Sequence, residues 1–264
     1  MTLENAGHSV TFALETRGLR KQFGDLVAIE GIDLSVPVGS FYGFLGPNGA
    51  GKSTTIKCLT GLLTPTAGSY TILGLDPRRD PLEIRRRIGV VPEDLALFDR
   101  LSGLETLSFV GQVHGLDSAT FGSRSRELLD VMDLSKAAGD LVADYSHGMR
   151  KKLALAAALL PAPRLLFLDE PFEGIDAISS RHIKELLGQF VGSGGTVFLT
   201  SHILDTVERL CDHIGVIREG RLVAQAPLVT LRTDIGLDRT LEEIFLALVG
   251  ASADKAPAFG WLKR

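Results

Sequence analysis

Alternation of apolar and polar residues dominates the start of the chain. Thr11 to Leu19 and Ala28 to Val36 are short alternating segments separated by Gly and Asp residues, a pattern that predicts antiparallel strands. The pattern changes at Ser40 to Leu45, which is apolar and runs directly into a glycine-rich turn and a helix beginning near Lys52. A strand, a turn and a helix in this order predict the opening of a βα unit.

Helical periodicity prevails from residue 94 to residue 160. Ser102 and Glu105 stand at capping-box spacing before a first apolar stripe, and Leu128 to Met132 gives the apolar face of a second helix. A third helix begins after Ser146. The sequence therefore predicts a helical insert in the middle of the chain.

Two short apolar segments in the second half end in polar residues. Leu165 to Leu168 is followed directly by Asp169 and Glu170, and Val197 to Leu199 is followed by a polar stretch that ends in His202. Both segments are typical of buried parallel strands whose carboxyl ends carry functional side chains.

The other segments of the second half predict helices and a hairpin. Ala177 to Phe190 and Leu204 to Leu210 predict the helices that link the strands, and Ile214 to Val223 predicts a hairpin with a Glu-Gly turn. Thr240 and Glu243 cap a final helix before a loose end rich in Ala and Pro.

Composition limits the classes of function that the chain can have. Its 264 residues, 45% apolar and 23% charged, can form one large domain or a core with a smaller insert. The net charge of -4 gives no bias toward polyanions, so we expect no nucleic-acid partner. Cys58 and Cys211 lie far apart, which indicates neither a disulfide framework nor a zinc site and fits a reducing compartment.

The sequence predicts a protein without a membrane span, because no apolar run reaches the roughly 18 to 20 residues that a spanning helix needs. The nearest run, Leu153 to Leu168, is interrupted by two prolines and an arginine, and Met1 to Val10 is polar, unlike a secretory signal. We therefore expect a cytoplasmic protein that reaches a membrane only by docking on a partner.

A glycine-rich segment follows the apolar strand that ends at Leu45. It reads Gly46, Pro47, Asn48, Gly49, Ala50, Gly51, Lys52 and Ser53, followed by Thr54, and matches G-x-x-x-x-G-K-[ST]. In this motif backbone N–H groups turn around the phosphates, Lys52 reaches the β- and γ-phosphates, and the Ser53 hydroxyl holds Mg²⁺. A glycine-rich turn that merely precedes a lysine is the alternative, but the flanking strand and helix favour ATP and Mg²⁺ as cofactors.

Phosphoryl transfer to water needs one group to hold the metal and another to orient the nucleophile. Asp169 would contact Mg²⁺ directly or through water, and Glu170, on the other side of the strand end, would polarise the attacking water. A solvated acid pair that opens a loop before Pro171 is the alternative. His202 emerges at the same sheet edge, where it would contact the γ-phosphate unless it only packs or caps.

These three motifs, in this order and with a helical insert between the first two, resemble the nucleotide-binding domain of ABC (ATP-binding cassette) transporters from about Leu14 to Leu248. The diagnostic segment is Tyr145-Ser146-His147-Gly148-Met149, which other P-loop enzymes lack. The resemblance implies an α/β fold: a P-loop NTPase core with a mixed sheet, an N-terminal antiparallel β-subdomain and an inserted α-helical subdomain. Residues 1–93 and 165–233 would form the core with the antiparallel β-subdomain, residues 94–164 the helical subdomain, and residues 234–264 a C-terminal helix and tail.

The resemblance also implies roles for single residues. In that family the signature Ser and second Gly, here Ser146 and Gly148, touch the γ-phosphate of ATP held by the opposite subunit, which implies a homodimer. Glu93 takes the position of the Q-loop glutamine near Mg²⁺, and Phe23 matches the aromatic residue that stacks on adenine. The alternatives for these two are an exposed acid and a core phenylalanine. His202 resembles the family's switch histidine.

Other positions depart from the family pattern or carry weaker signals. His147 replaces the first Gly of the signature and Met149 its Gln, variants that resemble the exporter branch. Asp176 resembles the D-loop residue at the dimer interface. The basic run Arg150 to Lys152 is typical of a solvated helix face.

The resemblance implies an ATP-hydrolysing subunit of an ABC transporter, similar to bacterial exporters, that acts on integral-membrane permease subunits at the inner face of the cell membrane. One alternative is a soluble ABC ATPase that serves no transporter, such as an assembly factor or a regulator, which shares all these motifs. A second is a regulatory module that uses ATP as a switch with little turnover, against which the presence of Glu170 and His202 argues. The transported substrate is not encoded here, because the membrane subunits select it.

Overall fold

The computed structural model describes residues 12–235 and 240–250, which form two sheets with flanking helices. The strands, labelled in chain order, are β1 (Phe12–Phe23), β2 (Leu26–Ile32), β3 (Ser35–Pro37), β4 (Phe41–Leu45), β5 (Ala67–Ile72), β6 (Ile88–Val91), β7 (Leu165–Asp169), β8 (Thr196–Thr200), β9 (His213–Arg218) and β10 (Arg221–Pro227). The α-helices are α1 (Lys52–Leu59), α2 (Pro81–Arg87), α3 (Gly103–Val113), α4 (Ser118–Val131), α5 (His147–Leu159), α6 (Ala177–Gly192), α7 (Leu204–Leu210), α8 (Leu228–Ile235) and α9 (Leu241–Leu248). The predicted polar segment Met1 to Val10, the strand start at Thr11 and the Ala- and Pro-rich end lie outside the described residues.

β1 is the shared strand of the smaller, antiparallel sheet and pairs with β2, β3 and β5. The single strand predicted at Ala28 to Val36 is wrong, because the structure divides this segment between β2 and β3. At the division the Thr16 hydroxyl donates to the Ile32 carbonyl (2.8 Å) and accepts from the Leu34 amide (2.7 Å). A side chain of β1 thus satisfies the backbone groups where β2 ends.

The larger sheet has the strand order β10-β9-β4-β8-β7-β6. The β9–β10 hairpin is antiparallel and the other pairs are parallel, which confirms the predicted mixed sheet. The hairpin turns, as predicted, at Glu219 and Gly220, whose φ angles are 50° and 75°. β4, β7 and β8 are buried along their whole length, which is consistent with the apolar residues in the interior of each strand.

The large sheet is the middle layer of the core, since alternate residues of its strands face opposite sides. On one side Tyr42, Phe44 and Phe167 surround Phe198 at ring-centroid distances of 5.5, 5.3 and 5.6 Å, in a cluster shared with α1 and the small sheet. On the other side, residues of opposite parity such as Leu166 pack with helices α3 to α7.

The helical insert contains the three predicted helices. Its first helix begins with the predicted capping box: the Glu105 amide donates to Ser102 Oγ (3.2 Å) and the Ser102 amide donates to Glu105 Oε2 (2.8 Å). The sequence patterns do not predict β5, α2, β6 or α8, and the predicted boundary after residue 233 falls inside α8. The division of the chain into subdomains stays a prediction.

Gly89 of β6 packs directly against α5, since an added Cβ would lie 2.5 Å from the Ala158 carbonyl oxygen. We predict that Gly89→Ala lowers the free energy of unfolding by about 1–3 kcal/mol, because α5 must move to make room. Gly188→Ala on the exposed side of α6 is the matched control. Nothing lies within 4 Å of its added Cβ, and alanine favours a helix, so stability should be equal or up to about 1 kcal/mol higher. Chemical denaturation compares the two, and equal stabilities would contradict the prediction.

Candidate nucleotide site

The carboxyl ends of parallel strands bring the predicted site residues to one edge of the large sheet. β8 lies between β4 and β7, and Thr200 at its end pairs with Phe44 of β4 and with Asp169 of β7. Neighbouring strands are about 4.8 Å apart. The glycine-rich loop after β4, the acidic pair at the end of β7 and His202 after β8 therefore begin side by side.

The loop between β4 and α1 turns around the Lys52 side chain. Lys52 Nζ donates to the carbonyl oxygens of Gly46 (2.8 Å) and Pro47 (3.2 Å), which hold the ammonium group against the loop. Gly51 precedes the helix with a φ of 109°, and an added Cβ would lie 2.5 Å from the Ala28 carbonyl oxygen. Glycine is required there on both grounds. The loop has the tight strand-to-helix geometry that its motif predicts.

The structure brings two of the three predicted metal ligands into contact. Ser53 Oγ at the start of α1 donates to Glu93 Oε2, 3.4 Å away in the segment after β6. Asp169 lies at the end of the neighbouring strand β7, where its carboxylate accepts a hydrogen bond from the Thr200 hydroxyl. Hydroxyl and carboxylate oxygens are the donors that Mg²⁺ prefers, so these side chains fit the ion.

Glu170 and His202 are directly paired. Glu170 Oε2 lies 2.9 Å from His202 Nδ1 and accepts from the His202 main-chain N–H at 3.3 Å. The glutamate side chain is largely buried and the histidine ring is exposed, so the pair opens to solvent on the histidine side. A carboxylate held in this way can accept a proton from a nearby water. The two predicted catalytic residues thus form one unit.

The signature segment forms the N-terminus of α5 beside the predicted D-loop. Ser146 caps α5 by accepting from the Met149 amide at 3.2 Å. A surface cleft of about 420 Å³ is lined by Ser146, His147, Gly148, Met149, Lys152, Gly174, Ile175 and Asp176. The His147 ring lies against Gly174, where an added Cβ would be 2.7 Å from the imidazole Cδ2. The histidine at the first signature position therefore depends on glycine in the D-loop.

Phe23 and Asp176, two further predicted site residues, lie at the surface. The Phe23 ring is 44% exposed, which excludes the alternative of a core phenylalanine, and Lys21 Nζ lies 4.8 Å from its centroid. Asp176 caps α6 by accepting from the Ser179 amide at 2.9 Å. This backbone bond at a helix N-terminus holds the pKa of the Asp176 carboxyl below its usual value.

The basic run after the signature contains a contact that the sequence patterns miss. The predicted solvated face is wrong for Lys151 and Lys152, which are buried. Helical periodicity could have predicted this burial. The two lysines lie four residues before the buried Leu155 and Ala156 and therefore share their face of the helix. Lys151 Nζ donates to the main-chain carbonyl of Glu170 at 2.8 Å.

A mostly parallel sheet, a glycine-rich loop between β4 and α1 and an acidic pair at the end of β7 define a P-loop NTPase. Comparison with known families narrows this class. The family model described as ABC transporter matches residues 29–173, more than half of the chain. The chain belongs to the ABC transporter family.

Similar proteins support the same assignment. The chain is 41% identical over 226 residues to the daunorubicin/doxorubicin resistance ATP-binding protein of Streptomyces peucetius, which covers 86% of this chain and 68% of that protein. It is 42% identical over 232 residues to the Nod factor export ATP-binding protein I of Cupriavidus pinatubonensis, which covers 87% and 71%. A solved ATP-binding subunit of an ABC transporter is 32% identical, with a TM-score of 0.85 over 89% of this chain and 99% of that one. The predicted fold, ATP binding and ATPase activity are confirmed.

Gly46 begins the phosphate-binding loop and has no room for a side chain, because an added Cβ would collide with the Ile217 carbonyl oxygen. We predict that Gly46→Ala displaces a carbonyl that holds Lys52 and weakens ATP binding at least about tenfold, or about 1.4 kcal/mol. Titration with a fluorescent ATP analogue measures the change. Gly188→Ala, which meets no neighbour, serves as the control with wild-type affinity. Equal affinities in the two variants would contradict the prediction.

Proposed function

We propose that two copies of this chain close on two ATP molecules with Mg²⁺, and that hydrolysis reopens them and drives the permease subunits of an exporter. The observation that supports this most directly is the 2.9 Å contact between Glu170 and His202, at the sheet edge that carries the glycine-rich loop. A carboxylate and an imidazole at this place can orient a water and contact the terminal phosphate together.

The loop and the side chains around it would bind the nucleotide. The proposed ATP-binding residues of one copy are Phe23, Gly46, Pro47, Asn48, Gly49, Ala50, Gly51, Lys52, Ser53 and Thr54. Lys52 would exchange its two carbonyl contacts for phosphate oxygens, and the exposed Phe23 ring would stack on adenine. Ser53, Glu93 and Asp169 would hold Mg²⁺, which offsets the negative charge of the phosphates when it is bound.

Glu170 and His202 divide the chemical work in this proposal. The Glu170 carboxylate accepts a proton from the attacking water, and His202, held by the same carboxylate, contacts the γ-phosphate. Removal of the negative charge at residue 170 should stop turnover, because the carboxylate acts on water, while nucleotide binding rests on the loop.

Ser146 and Gly148 are proposed to bind the ATP of the second copy. Both line the open cleft between the signature segment and the D-loop, and both lie at the N-terminus of α5, whose dipole favours a phosphate. The γ-phosphate would then bridge the two copies. Hydrolysis removes the γ-phosphate and therefore the bridge. The closed dimer is then no longer more stable than the open one.

An exposed apolar surface on the helical insert is proposed to bind the permease at the inner face of the membrane. Phe98 and Phe109 are 56% and 48% exposed and stack edge to face at 5.5 Å, and Leu104 and Val113 of α3 are also exposed. Residues 12–235 and 240–250 include no helix that is long and apolar enough to cross a membrane. The relatives are named for drug resistance and Nod factor export, which supports an exporter. The apolar surface favours this function over an ABC ATPase that serves no transporter.

Glu170→Gln keeps polar atoms at the position but removes the proton acceptor. We predict unchanged ATP affinity, phosphate release that is lower by at least about a hundredfold, and an ATP-dependent dimer that persists in size-exclusion chromatography. Glu185→Gln, in an exposed ion pair with Arg181, is the control and should hydrolyse ATP normally. Normal hydrolysis by the Glu170 variant would overturn the proposed role. Retention of ATP hydrolysis by Lys52→Ala would overturn the whole site.

The permease-binding surface can be tested without touching the nucleotide site. We predict that Phe109→Asp leaves the ATPase rate of the purified chain unchanged but abolishes its co-purification with a membrane partner of about six apolar spans, expected from a neighbouring gene. Leu82→Asp on α2, at a position 67% exposed, is the matched control and should co-purify normally. Co-purification of the Phe109 variant would remove the surface from the proposal.

A further inference from the structure

Lys151 is a buried cation whose position the proposed mechanism does not explain. It lies in the second turn of α5, and its side chain is only 2% exposed, which is rare for lysine without a partner. Its Nζ donates to the Glu170 carbonyl oxygen at 2.8 Å and lies 3.7 Å from Glu173 Oε2. The main-chain carbonyl is the closer of the two acceptors, and it belongs to the residue proposed to polarise the attacking water.

The backbone of Glu170 has an unfavourable conformation that hydrogen-bond partners must stabilise. Its φ is 49°, in the left-handed region that non-glycine residues rarely adopt and that persists only when neighbouring groups hold it. On the amide side, Glu170 N–H donates to the Thr200 carbonyl (3.3 Å) and hydroxyl (3.2 Å). On the carbonyl side, the acceptor receives Lys151 at 2.8 Å and the Glu173 amide at 3.4 Å. Lys151 is therefore the shorter and the only charged donor to this carbonyl among the hydrogen bonds of the described residues.

We propose that Lys151 is a positioning residue for ATP hydrolysis: its ammonium group fixes the Glu170 peptide in the left-handed conformation that aims the carboxylate at His202. The inference rests on the proposed role of Glu170 as the residue that polarises water. Lys151 acts through the Glu170 main chain, to which its ammonium group donates.

Helix α5 carries both Lys151 and the residue proposed to bind the nucleotide of the second copy. Ser146, proposed to bind the ATP of the second copy, caps α5, and Lys151 follows five residues later, about 7.5 Å along the helix. The helix that reaches across to the partner's nucleotide thus also holds the glutamate of its own site. A rigid link of one to two helical turns joins the two.

Lys151→Met tests the role, because methionine fills the buried volume but donates no hydrogen bond. We expect kcat for ATP hydrolysis to fall by roughly ten- to a hundredfold, the loss typical of a misplaced catalytic group. KM and the dissociation constant for an ATP analogue should stay within about twofold, since the loop is untouched. If Lys151→Met does not fold, Lys151→Gln replaces it, because the glutamine side chain is one bond shorter than that of lysine and does not reach the Glu170 carbonyl.

Two further variants separate the hydrogen bond from the ion pair. Glu173→Gln removes the negative charge that lies 3.7 Å from Lys151 Nζ, at a side chain that is 55% exposed, and keeps the main-chain contacts of residue 173, so its kcat should equal that of the wild type. Lys151→Arg retains a charged donor, so its kcat should stay within about threefold of that of the wild type. A wild-type kcat in Lys151→Met, or an equal loss in Glu173→Gln, would overturn the proposal.

The double variant Lys151→Met with Glu170→Gln distinguishes positioning from general damage to α5. If Lys151 acts only through the Glu170 carboxylate, the double variant should form the same ATP-dependent dimer as Glu170→Gln alone. Loss of that dimer would show that Lys151 supports the signature helix itself and would overturn the positioning role. If Glu170→Gln alone hydrolyses ATP normally, the proposed function fails instead, whatever Lys151 does.

Discussion

The site depends on the insertion of β8 between β4 and β7. In the chain these strands follow the order β4, β7, β8, but in space β8 separates the other two, so that residues far apart in sequence meet at one edge. Thr200 makes this arrangement specific, because its hydroxyl donates to the Asp169 carboxylate and accepts from the Glu170 amide. A slip of β8 by one residue would turn this hydroxyl to the other face and release both acids.

Features that depend on local sequence could be predicted, and features that depend on distant partners could not. The phosphate-binding loop, the capping box at Ser102 and the Glu-Gly hairpin turn each follow from a few adjacent residues. β5 could not be predicted, because its first three residues are exposed and only Ile72 is buried, so the segment gives no apolar alternation. The division of the segment Ala28 to Val36 depends on the Thr16 side chain in another strand. This contact cannot be predicted from the spacing of residues in the sequence.

The candidate site shows the same limit. The residue types and the strand ends indicated Glu170 and His202 separately, but their 2.9 Å contact required the spatial order of the strands. The substitution of His147 in the signature is similar. It is accommodated because Gly174, at a φ of 73° in a distant loop, leaves space for the imidazole ring. The departure from the family pattern at His147 is thus accommodated by Gly174, and only the fold shows that these two positions are in contact.

Lys52 and Lys151 illustrate how buried charge is placed for binding and for positioning. Lys52 and Lys151 both donate to main-chain carbonyls, which only partly compensate an ammonium group removed from water. At Lys52 a phosphate oxygen can replace these carbonyls and supply a full negative charge. Nucleotide binding therefore compensates the ammonium charge better than the loop carbonyls do in the free protein. At Lys151 the carboxylate of Glu173 lies 3.7 Å from Nζ and offsets part of the charge, and the bond to the Glu170 carbonyl is the shorter contact at 2.8 Å. The first lysine is therefore arranged to change partners during the cycle, and the second is arranged to keep its partner.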